Sequence, residues 1–185
     1  MSSRLEVALY LRNAGVADVD LRHPEWGNPG VGGTQFGFVS LAYYLKKYCQ
    51  EAVEPVLYAQ STDRLPASVT VRPAGDVTEV VRAAAADGCD MLLVRVGDSD
   101  VEQGIYDEAA EVELPVVAWA HNFPTLRQLD AAAAHPIVKR IVCVGREELD
   151  RHRDHPAFEK STFIYNGIDP DPAAETMERL ESEGK

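Results

Sequence analysis

The stretch VTVRPAGDVTEVVRAAAADGCDMLLVRV, Val69 to Val96, contains a complete strand–helix–strand unit. Two short apolar runs rich in β-branched residues, VTVRP and MLLVRV, flank a segment of helical period. Asp76, followed three residues later by Glu79, is a variant of the capping box that begins a helix, and Gly88 ends that helix before the second run. The stretch therefore predicts two parallel strands joined by a right-handed crossover.

The same alternation extends over the rest of the chain. FGFVSLAYYLKKY predicts a helix, because Phe38, Leu41, Ala42 and Leu45 recur at the spacing of one buried helix face. Further strands are predicted at EVALYL (Glu6 to Leu11), EPVLYA, PVVAWA, RIVCV and STFIY, and further helices around Tyr106, Leu129 and Glu148. The sequence thus predicts an α/β protein with a doubly wound, mostly parallel, Rossmann-like sheet of about seven strands and helices on both faces.

Composition limits the classes of function. The chain has 185 residues, of which 45% are hydrophobic, which is enough for one sizeable core. Its net charge of -12 would repel nucleic-acid phosphates, so no nucleic-acid partner is expected. No apolar run approaches the roughly 20 residues of a transmembrane segment and no signal peptide precedes the first strand, so a cytoplasmic location is expected. The three cysteines form no CxxC pair, which argues against a zinc site or a disulfide framework.

Three polar loops follow predicted strands at what would be the carboxyl edge of the sheet. They are PGVGGTQ, the DSD after MLLVRVG, and the HNFP after VVAWA. Open α/β sheets bind ligands at this edge, beside helix N-termini that attract anions. The three loops are therefore the candidate binding region.

The glycine-rich loop PGVGGTQFG runs from Pro29 to Gly37. Gly32 and Gly33 precede Thr34 at the predicted start of a helix, where bare backbone would let a phosphate or a sugar approach exposed N–H groups. The alternative is that the glycines only supply the positive φ of a tight turn. The spacing matches neither GxGxxG nor the Walker A motif, so neither common nucleotide fingerprint is present.

His121 is the leading candidate for chemistry or polar recognition, with Asn122 placed to assist it. At a strand end an imidazole can donate to a phosphate oxygen or a sugar hydroxyl; a satisfied structural histidine is the alternative. Asp98 and Asp100 follow the neighbouring strand, where they either accept from ligand hydroxyls or cap the next helix, and capping is the favoured interpretation.

Two weaker signals involve aromatic and imidazole side chains. His152 and His155 are predicted to share a helix face near two aspartates, a spacing that is superficially like a metal site but is favoured as an exposed polar face. Trp26 lies in the long segment 12–29 and is predicted to be a tucked aromatic of a surface loop, with a sugar-stacking platform as the alternative.

Taken in order, these motifs resemble the N-terminal domain of the family 4 (group 1) glycosyltransferases, and the resemblance covers nearly the whole chain. STFIYNGIDP, Ser161 to Pro170, is similar to the family's "V-I-x-N-G-[VI]-D" strand and turn. GVGGTQ matches its GG loop, with Gln35 in place of the usual acidic residue, and WAHNFP matches its histidine motif. VGREEL stands in the place of "V-S-x-x-L", with Gly145 where serine is commoner.

The resemblance implies a B-type fold in which two Rossmann-like domains face each other across a cleft. It implies transfer from a nucleotide-sugar donor, bound mainly by the C-terminal domain, to a sugar, glycan, lipid or small-molecule acceptor, usually with retention and without a metal or other cofactor. Gly32, Gly33 and Thr34 would lie near the donor phosphates, with Asp98 and Asn122 as further substrate contacts. His121 would be catalytic, contacting the transferred sugar or its departing phosphate.

The resemblance also implies a domain organisation. Residues 1–170 would form the acceptor-side domain, Asn166 and Gly167 would shape the turn into the linker, and residues 171–185 would lead toward an absent donor-binding domain. By itself the chain is then expected to be inactive. A non-catalytic carbohydrate- or anion-binding module is the alternative. A receiver domain is disfavoured, because it would have clustered acidic residues after its first strand and a lysine after its fifth, where this chain has Arg12 and His121.

Overall fold

The computed structural model describes residues 4–96 and 100–167. Asp98 and the predicted linker 171–185 lie outside this range. The strands are β1 (Leu5–Leu11), β2 (Val53–Ala59), β3 (Thr70–Pro73), β4 (Met91–Arg95), β5 (Val116–Ala120), β6 (Val138–Cys143) and β7 (Ser161–Phe163). The α-helices are α1 (Gly33–Tyr48), α2 (Val77–Ala86), α3 (Asp100–Glu111), α4 (Leu126–Ala134) and α5 (Arg146–Asp150). Short 3₁₀ helices lie at Ala14–Val16, Pro24–Trp26 and Pro156–Lys160.

The strands form one sheet in the order β3-β2-β1-β4-β5-β6-β7, and every neighbouring pair is parallel. This confirms the predicted Rossmann-like sheet of seven strands. From β1 the chain moves outward to β2 and β3, and it then returns to the other side of β1 as β4. The direction of winding therefore changes between β1 and β4, which is where open parallel sheets leave a crevice at their carboxyl edge.

The two faces of the sheet bury separate cores, as a doubly wound fold requires. One core joins α2, α3 and α4 to inward residues such as Ala8, Tyr58 and Leu92. The other joins α1 and the β1–α1 segment to Leu9, Leu57 and Trp119. Alternation along each strand sends neighbouring residues to opposite cores, so α1 is held on the face opposite to the other long helices.

Helix α2 shows how local sequence fixes these elements. The Asp76 carboxylate accepts a hydrogen bond from the Glu79 N–H at 2.9 Å, while Glu79 Oε2 accepts one from the Gly75 N–H at 2.7 Å. Gly88 follows the helix with φ +81°, a left-handed conformation that suits glycine. The predicted cap and stop signals are both confirmed.

The chain after β6 differs from the prediction. α5 ends at Asp150, and His155 has extended backbone before the 3₁₀ helix Pro156–Lys160. The predicted helix face shared by His152 and His155 is therefore wrong, because proline disfavours helical backbone in the residue before it. Strand β7 ends at Phe163 and leaves the rest of STFIY exposed.

In the part of the chain that the structure describes, no helix has the length and apolar character needed to cross a membrane.

Candidate functional site at the carboxyl edge

The segment between β1 and α1 ends in a turn that Asn28 organises. The Asn28 side-chain oxygen accepts hydrogen bonds from the N–H groups of Gly30 and Val31, each at 2.9 Å, and its amide donates to the Val31 carbonyl at 3.0 Å. Gly30 has φ +102°, so it supplies the left-handed residue of this turn. Sequence reasoning missed Asn28, although an asparagine two residues before a glycine is a known turn signal.

The glycine pair has a different role from Gly30. Gly32 has φ -57°, and Gly33 is not among the residues with positive φ, so the pair is not required by turn geometry. Gly32 is the N-cap of α1, and it provides no side-chain cap. A Cβ on Gly33 would meet no atom within 4 Å, whereas one on Gly32 would collide with the Gln35 side chain. The alternative that these two glycines supply the positive φ of a tight turn is therefore wrong. The space beside Gly33, in the first turn of α1 that also includes Thr34, is open.

His121 lies against the second turn of α1. A Cβ on Gly37 would stand 2.8 Å from His121 Nε2 and 2.9 Å from its Cε1, so the imidazole occupies the space that a side chain on Gly37 would need. The ring also meets Trp119 edge-on, with centroids 4.2 Å apart. The helix that follows the glycine loop and the histidine that follows β5 are thus in direct contact.

The electrostatics of His121 favour the neutral ring. Burial is the main cause that lowers its pKa below the ordinary 6.5, and the positive charge of Arg95 lowers it further. Nε2 is buried and has no hydrogen-bond partner. The imidazole is therefore uncharged at pH 7, and one of its nitrogens is left unsatisfied.

A small cleft lies beside His121 at the ends of β4 and β5. Its lining residues are Arg95, Val96, His121, Asn122, Phe123, Pro124 and Gln128. Thr125 and Gln128 form a reciprocal capping box that begins α4 at this cleft, with the Gln128 side chain accepting from the Thr125 N–H at 2.6 Å. Sequence reasoning missed Arg95, although an arginine at the end of an otherwise apolar strand was a usable signal.

The far rim of this edge is built around α5. Glu148 Oε2 accepts a hydrogen bond from the Val144 N–H at 2.9 Å, while its other oxygen is buried without a partner. Burial raises the pKa of this carboxyl group. Gly145 lies beside the exposed ring of Tyr165, and the Arg151 guanidinium lies 4.0 Å from the centre of the Phe123 ring.

The remaining predicted site residues are placed as follows. Asn166 and Gly167 are exposed just after β7, at the same edge. Asp100 begins α3, and Asp98 lies outside the described residues. His155 accepts from the Ala157 N–H and contacts Asp130 at 3.1 Å, so it has a structural role. Within residues 4–96 and 100–167, no three histidine, cysteine or acidic side chains cluster as metal ligands would.

Trp26 is not tucked as predicted. It is 77% exposed, and its ring stacks on that of His23 with centroids 4.0 Å apart. The 3₁₀ helix that carries it lies in the segment that connects β1 to α1, and it packs against α1.

Gly37→Ala is expected to displace the His121 ring with little effect on stability. The ring must move because the new methyl group and the imidazole cannot occupy the same space. The cost of this repacking is partly offset, because alanine is about 1 kcal/mol more favourable than glycine inside a helix. Because the displaced ring becomes better solvated, its pKa should rise toward the ordinary 6.5. NMR titration of the imidazole signals measures this shift.

Gly104→Ala in α3 is the matched control, because a Cβ there meets no atom within 4 Å. It should leave the His121 signals unchanged. Unaltered His121 signals in Gly37→Ala itself would show that the ring does not occupy this position in solution.

Comparison with known proteins agrees with the fold. No family model matches the sequence, and no curated protein matches it. Among solved structures, the chain is similar to the apo form of the lipopolysaccharide outer core galactosyltransferase WaaB, with a TM-score of 0.52 and 10% sequence identity. The match covers 89% of this chain and 46% of that chain, so the likeness extends over less than half of the galactosyltransferase. At this identity the match shows only a shared Rossmann-like α/β fold, and membership of family 4 stays a prediction.

Proposed function

We propose that this chain is the acceptor-side domain of a retaining glycosyltransferase and that it acts together with a second, donor-binding Rossmann-like domain. The observation that carries the proposal is the contact between His121 and Gly37, which joins the histidine after β5 to the helix that begins at Gly33. The similarity in fold to part of a galactosyltransferase supports the same assignment. Both features lie at the edge where parallel sheets bind ligands.

The chemistry follows from the charge that develops during transfer. When the bond between the sugar and the donor phosphate breaks, negative charge grows on the departing nucleoside diphosphate. The N–H groups at the start of α1 would stabilise that charge, and Arg95, which lines the same cleft as His121, would contribute to the stabilisation. Together these groups could supply stabilisation that a bound cation provides in other enzymes.

His121 would act as a neutral hydrogen-bond donor rather than as a cation. Its lowered pKa keeps the ring uncharged at pH 7. Since Nε2 has no partner at its present position, turning the ring toward the cleft sacrifices no hydrogen bond at that atom. Asn122, which lines the same cleft, would contact the transferred sugar or the acceptor.

The second domain would approach over the exposed apolar side chains of this edge. Phe123, Leu126, Ile164 and Tyr165 are each more than half exposed. They follow β5 or β7, so they border the cleft and the turn at Asn166 that would lead into the linker. An exposed apolar rim of this kind is typical of a surface that another domain covers.

An assay of donor consumption tests the proposal. The chain is prepared alone and together with the donor-binding domain from its own gene or a neighbouring gene, and release of nucleoside diphosphate is measured with UDP- and GDP-sugars. Turnover is expected only when both domains are present. Saccharide or anion binding by this chain, with no donor consumed by the pair, would instead identify a non-catalytic binding module.

A further inference from the structure

The 3₁₀ helix Pro24–Trp26 presents a rigid aromatic surface at the carboxyl edge. The Trp26 N–H donates to the His23 carbonyl at 3.0 Å, and the Gly27 N–H donates to the Pro24 carbonyl at 3.1 Å. Pro24 is buried, which anchors the turn to the body of the domain. The backbone that carries Trp26 is therefore fixed, although its side chain is exposed.

The indole ring is supported on one face only. The His23 ring stacks against it at an interplanar angle of 13°, and His23 Nδ1 lies 3.2 Å from Glu25 Oε1. With one face covered by the imidazole and 77% of the residue exposed, the opposite face must be open to solvent. A flat, pre-positioned aromatic ring with one free face costs little conformational entropy to use in binding.

The surroundings of Trp26 distinguish among possible partners. From Arg12 to Gly32, Trp26 is the only large hydrophobic side chain that is exposed, and its exposed neighbours include Arg22, His23 and Asn28. This segment alone therefore offers too little apolar surface for a protein interface of useful size. A sugar ring needs only one aromatic face for its C–H groups, together with polar groups nearby for its hydroxyls.

The net charge of the chain further limits the class of ligand that would bind at Trp26. A chain with a net charge of -12 disfavours an anionic ligand in the absence of a local basic cluster. The Arg22 guanidinium is paired with Asp20, with their closest atoms 2.6 Å apart, so it adds no net positive charge beside Trp26. A neutral pyranose fits both the flat ring of Trp26 and the lack of net positive charge beside it.

We propose that Trp26, supported by His23, is a stacking subsite for a neutral saccharide, and that the acceptor of the proposed transfer reaction is therefore a neutral carbohydrate. The identification of the bound saccharide as the acceptor rests on the proposed function. Saccharide binding at Trp26 itself can be measured without catalysis.

The test measures binding of methyl α- and β-hexopyranosides, maltose, cellobiose and lactose to the 185-residue chain. Ligand-detected NMR measures binding to the unsubstituted chain and to every variant, and quenching of Trp26 fluorescence is a second measurement for the chains that keep Trp26. At least one of these saccharides is expected to bind. Trp26→Ala should weaken that binding about 10-fold or more, whereas Trp26→Phe, which keeps a flat ring, should weaken it only about 3-fold. Glucose 6-phosphate should bind less well than methyl glucoside.

Tyr48→Ala is the matched control, because Tyr48 is 57% exposed at the other end of α1. It should leave saccharide binding unchanged. The subsite is refuted if none of the saccharides binds, if Trp26→Ala binds as well as the unsubstituted chain, or if Tyr48→Ala weakens binding equally.

The two proposals fail in different ways. Saccharide binding that depends on Trp26, without donor consumption by the two-domain assembly, overturns only the proposed transfer reaction. Donor consumption with an acceptor KM that Trp26→Ala does not change overturns only the stacking subsite.

Discussion

His121→Ala is expected to slow sugar transfer by the two-domain assembly by about 100- to 1000-fold, the usual loss when one donor to a developing negative charge is removed. The expectation rests on the proposed role of the imidazole beside the departing phosphate. Because the substitution removes a hydrogen bond that strengthens as the bond to phosphate breaks, kcat should fall far more than KM rises. Steady-state release of nucleoside diphosphate, measured at saturating donor, gives both constants.

The pH dependence of the transfer rate shows whether the His121 ring donates its hydrogen bond as a neutral or as a cationic group. Burial and Arg95 lower the pKa of His121, so the neutral ring persists below pH 6.5 and the acid-side decline in rate should lie below that value. A cationic donor would instead lose activity as the pH rises toward 7. His121→Gln, which keeps a neutral N–H donor, should retain more activity than His121→Ala.

His135→Ala is the matched histidine control. His135 contacts Asp107 at 3.3 Å and lies between α4 and β6, at the amino edge opposite the cleft. Its replacement should change the transfer rate less than 2-fold, since the contacts that it removes, with Asp107, the Ile137 N–H and the Tyr106 ring, lie far from the reacting atoms. Equal losses in the two variants would mean that stability, rather than chemistry at His121, controls the rate.

The sequence was sufficient to predict those parts of the fold that depend on local signals. The central strands β1, β2, β4 and β5 are mostly apolar runs of the right length, and α2 is delimited by the cap at Asp76 and the stop at Gly88. These signals act within a few residues, so a single sequence reveals them. They also correctly placed the glycine loop and His121 at the carboxyl edge.

The geometry of the candidate site depends on contacts between distant residues, which local patterns do not encode. The glycine that accommodates His121 is Gly37, 84 positions earlier in the chain, rather than the Gly32–Gly33 pair. Arg95 affects His121 because β4 and β5 are neighbours in the sheet. The exposure of Trp26 likewise depends on how its 3₁₀ helix packs against α1. Each of these features became visible only once the strands were arranged in order.

Phe38 is the link between the stability of the core and the position of His121. Its side chain is only 2% exposed, and its ring packs at 51° against that of Trp119, with centroids 5.2 Å apart. Trp119 in turn contacts His121. A cavity at Phe38 would therefore remove apolar contacts from the core around α1 and weaken the support beneath the imidazole.

Phe38→Ala is expected to lower the free energy of unfolding by about 3–5 kcal/mol, a large fraction of the roughly 5–15 kcal/mol that stabilises a typical domain. Urea unfolding followed by the fluorescence of buried Trp119 should show a lower midpoint with an unchanged slope. Phe38→Leu refills most of the cavity and should cost less than about 1.5 kcal/mol. Phe123→Ala, at a phenylalanine that is 56% exposed, should cost at most about 1 kcal/mol, the value of its contact with Arg151. If Phe38→Ala proved no more costly than Phe123→Ala, α1 would not be packed on the sheet through Phe38, and the support for His121 would have to come from elsewhere.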